Sequence, residues 1–264
     1  MNKIFFQPSL LGKIVAGCIW AVLLSFIYKN ILKVNPRAPI EIYYFFLYGH
    51  LDLSSIQYIY PVIFWIFPHA FLLFIIANVI SHELYDMSCY IFTRSRRRTA
   101  WVFRMLMVFA AWTTAYYLVQ FAVVYGLGIV YGFNPHSSFS EFKSIISIFI
   151  LNILFSYFMI TLIFFISIMK STILALTSGL TVILLSLFVS RFFYETGLND
   201  FITFLPTSQV IFSWHLIGSK YENYVGYNPA LDGFPISFSI IYLLVGCILF
   251  SISSIIAIKH KEFL

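Results

Sequence analysis

Apolar residues run through this chain in long unbroken blocks with brief polar punctuation, not in the alternation that strands require. Windows of apolar density predict six helical spans, at 10–28, 59–80, 101–130, 145–169, 172–193 and 236–258. A run of about 20 residues lets a helix cross about 30 Å of hydrocarbon while satisfying its own backbone. The expected fold is therefore an all-α membrane protein, a single transmembrane domain over 1–264, and the absence of alternation excludes a β-barrel.

Two places need an argument. From 145 to 193 the chain is apolar but for Lys170 near its middle and Arg191 near its end, about twice the length of one crossing, so Lys170 and Ser171 mark a tight hairpin. The segment 200–218 is also apolar, but Pro206, Thr207, Ser208 and Gln209 interrupt it. A crossing there would put Lys259 and Lys261 on the opposite face from the arginine cluster, so the segment reads as re-entrant, ahead of the sixth span.

Six spans leave both termini on one side, and the arginines between Arg94 and Arg98 select that side as cytoplasmic. That face collects Lys3, Lys13, Arg94, Arg96, Arg97, Arg98, Arg104, Lys170, Lys259 and Lys261 against Glu83, Asp86 and Glu262. The other face is close to neutral. Lys29, Lys33 and Arg37 run against the bias, in an outer loop that turns aromatic at 42–49 and reads as tyrosine-rich interfacial packing.

Composition sharpens this picture. Hydrophobic residues make up 61% and charged residues 10% of the 264, far from the profile of soluble domains. The first span is too long for a signal peptide. A net charge of +6 raises nucleic acid as a partner, yet basic residues beside spans set orientation, so none is expected. Cys18, Cys89 and Cys247 offer neither a disulfide framework nor metal-ligand spacing.

Little catalytic chemistry is legible. His82-Glu83-Leu84-Tyr85-Asp86 opens like a zinc-protease motif but lacks the second histidine and a third ligand, so no metal site is expected. Ser178-Gly179 resembles an intramembrane serine-protease pair, but no histidine lies in the last span, and small residues serve helix packing. There is no P-loop, so this chain is expected to bind no nucleotide and to be no enzyme. All ten acids fall in predicted loops or at span ends, which speaks against a gradient-driven carrier. His69, deep in the second span, is an ionisable group in an apolar run and so a candidate for a substrate path; hydrogen bonding between helices is the plainer reading.

The charge is gathered between spans two and three. On a helical wheel Leu84, Tyr85, Met87, Ser88, Cys89, Ile91 and Phe92 cover one face, and His82, Glu83, Asp86 and Tyr90 the other. Acids at the start and arginines just past the end suit the helix dipole. A helix that merely lies on the bilayer would carry Lys or Arg on its polar face. This one carries acids and a tyrosine.

These residues resemble the permease subunit of a type-2 ATP-binding-cassette transporter. Glu83 matches the glutamate of that family's cytoplasmic loop, Ser95-Arg96 its Ser-Arg, and Arg104 the later basic residue; Met87-Ser88 and Thr93 stand near the places of its Gly-Thr pair and proline. The closing 256–264, an apolar span end, two lysines and an acid, is similar as well. The resemblance implies six spans with both termini cytoplasmic and an amphipathic coupling helix between spans two and three. That helix would comprise His82, Glu83, Leu84, Asp86, Met87, Tyr90, Ile91, Arg94, Arg96, Arg97 and Arg98.

It further implies cytoplasmic ATPase subunits as partners, ATP and magnesium held there and not by this chain, and a second permease copy or paralogue, all in the lipid of a bacterial cytoplasmic membrane. Such subunits export drugs, lipids, glycans or peptides. The short N-terminal segment tilts the expectation toward a hydrophobic peptide, antimicrobial or lipid-like cargo. The alternative is a non-transporting scaffold or sensor that recruits a cytoplasmic partner through the same charged loop.

Overall fold

A computed structural model describes residues 8–32, 38–86, 98–135, 139–215, 231 and 233–260. Among these the chain is helical, its extended pairing limited to one bridge between Pro39 and Asn134. The long helices are α1 (Pro8–Leu32), α3 (Ile59–Ser81), α4 (Arg98–Val130), α5 (Phe139–Met169), α6 (Thr172–Glu195) and α7 (Ile236–His260), with a short α2 (Ile40–Tyr44) between the first two. Five stretches are long and apolar enough to cross a membrane: Ile59–Leu84, Arg98–Val130, Phe142–Met169, Thr172–Glu195 and Ile236–His260. This is a multi-pass membrane architecture. The first predicted span corresponds to α1, whose apolar part is the shorter Val15–Lys29.

Local chemistry explains where the helices stop. Lys170 and Ser171 are the whole link between α5 and α6, and the Ser171 hydroxyl caps α6 by accepting from the Leu174 amide. At the other end of α6, Gly197 takes φ of 74°, so that the Leu198 amide donates to the Phe193 carbonyl and the Gly197 amide to that of Tyr194. Gly132, at φ of 89°, ends α4 in the same way, with Phe133 donating to Gly128. Both are left-handed glycine caps that satisfy carbonyls a helix end would otherwise strand.

Side-chain contacts fix the running directions. Lys29, late in α1, lies 4.5 Å over the ring of Tyr131 just past α4, so those two helices are parallel. Leu106 accepts from Tyr157 while Phe121 meets Phe149, so α4 and α5 are antiparallel. Gln57, before α3, reaches Arg191 near the end of α6, and Phe158 meets Tyr242 while Phe165 meets Phe250, so α3 and α7 run with α5 and against α6. The start of α1 and the end of α7 therefore share one end of the bundle. Helix α5 sits at the centre against α3, α4, α6 and α7.

Two segments dip into the bundle from the opposite end. The segment predicted as re-entrant forms only short turns, Asn199–Ile202, Thr207–Gln209 and Phe212–His215, and its described part ends at His215. The Ser186 and Thr207 hydroxyls are 2.6 Å apart, nine residues before the end of α6, which places Pro206 and its neighbours about 14 Å down the helix.

The aromatic run 42–49 differs from the expectation of interfacial packing. It is a buried helix, α2 continued by a π-helical turn Phe45–Gly49, and its hydroxyl from Tyr48 reaches Gln120, about 15 Å from the end of α4. Bare backbone at Gly49 permits the dip, since a Cβ there would lie 3.1 Å from Ile148 and 3.2 Å from Phe212. The two segments brace each other, Trp214 Nε1 donating to the Leu51 carbonyl at 2.9 Å.

Candidate functional site: the charged end and the polar junctions above it

Helix α3 does not stop where its apolar run ends. It passes directly into a π-helical turn, His82–Asp86, with the His82 amide still donating to Asn78 and Val79. Leu84 is 2% exposed and Glu83 only 6%, while His82 faces outward. The wheel put Glu83 on the polar face; in the structure it is buried beside Leu84. Arg98, half-buried, starts α4, and Arg104 two turns later holds a buried Nε with no hydrogen-bond partner among the described residues. Met87, Tyr90, Ile91, Arg94, Arg96 and Arg97 lie outside the described residues, as do Cys89 and the side chain of Asp86. Among the described residues no cluster of His, Cys, Asp and Glu could hold a metal.

Above this end, three long helices meet on a closed polar triangle. His69 Nδ1 of α3, the Tyr117 hydroxyl of α4 and the Ser156 hydroxyl of α5 are each 2.8 Å from the other two, and all three are buried. The Tyr116 hydroxyl donates to the Pro68 carbonyl at 3.0 Å, tying α4 to the one proline in the middle of α3. His69 is thus hydrogen-bonded between helices.

A second junction lies beside it. Tyr48 donates to Gln120 Oε1 at 3.1 Å, Gln120 Nε2 reaches the Gly17 carbonyl of α1 at 3.4 Å, and Asn152 Nδ2 reaches the Tyr48 carbonyl at 3.4 Å. Gln120 and Asn152 are lone polar residues in apolar runs, a signal the sequence carried without declaring a partner.

A third network closes the far end. Ser239 of α7 donates to Gln209 Oε1 at 2.7 Å and sits 3.4 Å from His215 Nε2, whose ring stacks on Phe234 at 4.0 Å. Burial pushes the His215 imidazole down to about 4, against a smaller opposing effect from the Phe234 carbonyl. The His50 imidazole, buried between Phe45 and Phe46, is likewise pushed down to about 4, with the Asp52 carboxylate opposing. Gly179, partner of the Ser178 pair, packs its backbone against Ile163, where a Cβ would approach within 2.9 Å. That is close helix packing.

Residues 15–264 match one protein family, described as a protein of unknown function, DUF2705. The chain belongs to the DUF2705 family. No curated protein and no solved structure matches this DUF2705 chain.

Proposed function

We propose that this chain is the membrane-spanning permease subunit of an ATP-driven exporter, with six spans, both termini cytoplasmic, and separate ATPase subunits docking on the segment from His82 to Arg98. The observation that carries the reading is the continuity of α3 into His82–Asp86 with Glu83 and Leu84 buried. A push on a surface helix reaches a bundle only through a rigid connection. Here the connection is helical, and α3 is clamped to α4 and α5 by the His69, Tyr117 and Ser156 triangle. Closure of two ATPase subunits would move the segment after Asp86, tilt α3 and shift its neighbours with it.

The distribution of charge supports the same orientation. Described residues at the end shared by the start of α1 and the end of α7 include Lys13, Arg98, Arg104, Lys170 and Lys259 against Glu83 and Asp86, whereas the other carries Lys29, Lys143 and Arg191 against Glu41, Asp52, Glu141, Glu195 and Asp200. Inward-dipping segments at that second end fit an outer gate, and a largely apolar interior fits a hydrophobic peptide or lipid-like cargo. The test is co-purification of the chain with ATPases encoded beside it, then ATP turnover in lipid discs with candidate peptides and lipids. Recovery of an ATPase whose turnover rises with a hydrophobic cargo supports the reading. A chain that recruits a cytoplasmic protein without nucleotide turnover is a scaffold.

A further inference from the structure

Helices α5 and α7 run parallel and pack tightly at Gly246, where the Phe158 ring leaves no room for a Cβ. Toward the end of α7, short side chains at Ser253 and Ala257 leave an open apolar groove of about 500 Å³, lined also by Phe165, Ile168, Met169 and Ile256, that reaches His260. At Ser253 it joins a second groove of about 480 Å³ that runs on past Phe250 toward Tyr242. From Phe238 to His260 the rise is about 33 Å, so the two together run the depth of a bilayer, and the part ending at His260 belongs to one leaflet.

The mouth of that lower groove is basic. His260 lines it, exposed Lys259 precedes His260, and exposed Lys170 follows the wall residue Met169 directly. An apolar slot one leaflet deep beside two lysines matches one chemistry, an acyl chain carrying an anionic headgroup. We propose that the α5–α7 groove holds a phospholipid with an anionic headgroup, its phosphate at Lys170, Lys259 and His260 and one chain along Ser253 and Ala257. Zwitterionic lipid would fill the slot without gaining at the mouth. The inference needs only a membrane-embedded bundle, and it stands whether or not an ATPase docks on the chain.

The experiment is native mass spectrometry of the full chain in detergent, with phosphatidylglycerol or phosphatidylcholine of identical chains added, alongside the thermal shift each produces. The expected result is retention of phosphatidylglycerol about tenfold over phosphatidylcholine. A K170Q/K259Q/H260Q protein should lose that preference while still taking up lipid, and Ala257→Trp should lower retention of both lipids. Equal retention of the two lipids by the unmodified chain overturns the proposal. So does a triple variant that keeps the preference, or an equal thermal shift from glycerol phosphate, which has no chain to place in the groove. A change of oligomeric size on Ala257→Trp would overturn it too, by making a second copy of the chain the occupant.

Discussion

Tyr117 shows what a single hydroxyl does in this interior. It is the vertex joining His69 to Ser156, so Tyr117→Phe removes two of the triangle's three contacts while leaving the ring and its packing in place. The expected cost is about 1–2 kcal/mol, read as a lowered melting temperature in detergent with unchanged helix content. Melting with the parent protein would mean that the triangle does not clamp α3. His50 and His215 at the far end set a pH limit. His50 and His215 are held down to about 4 from 6.5, so the unfolded chain binds more protons than the folded one between those values. Their contribution is fully present above about pH 6.5 and is lost as pH falls toward 4, by about 2 kcal/mol for each histidine at pH 5. Thermal melts from pH 7.5 to pH 5 should fall steeply for the parent and less steeply for His215→Gln; parallel curves would remove His215 from the account.

At the scale of elements, what could be read in advance depended on whether a feature leaves a mark in composition. The α5–α6 hairpin was legible because Lys170 is the one charge near the middle of an apolar run twice the length of a crossing. The turns around Pro206 were legible because a proline and three polar residues interrupt an apolar stretch. The dip of α2 was not. Its residues 40–49 are too few to cross, and an aromatic decapeptide has the same composition whether it rests at an interface or is buried in a bundle. What separates the two is tertiary: bare backbone at Gly49 beside Ile148 and Phe212, and the reach of Tyr48 to Gln120. The burial of Glu83, which the wheel put on the polar face, is likewise a tertiary fact that composition does not carry. Gly49→Val tests the dip. Its Cβ already meets neighbours at 3.1–3.2 Å and the two further methyl groups have nowhere to go, so the variant should lose about 1–3 kcal/mol and expose the 42–49 segment to added protease. Unchanged melting and proteolysis would place α2 less tightly than described.

For the whole molecule, the long helices were legible from hydropathy, while their directions came from contacts such as Lys29 with Tyr131. The proposed sidedness makes a separate prediction: an impermeant thiol reagent should modify Cys89 in inverted vesicles and spare it in intact cells. Labelling of sealed cells from outside would reverse the topology. The central claim is that the segment following α3 docks an ATPase, and co-purified ATPase per permease, with ATP turnover in lipid discs, tests it most directly. Reversing one charge by Asp86→Lys leaves the apolar helices untouched, so the chain should insert normally while ATPase recovery and cargo-stimulated turnover both fall. Met87→Asp should do at least as much damage, because a desolvated carboxylate in an apolar contact costs several kcal/mol. A helix that only lies on the bilayer would tolerate Asp86→Lys or gain membrane contact from it. Full complex recovery and full coupled turnover in Asp86→Lys would contradict the account.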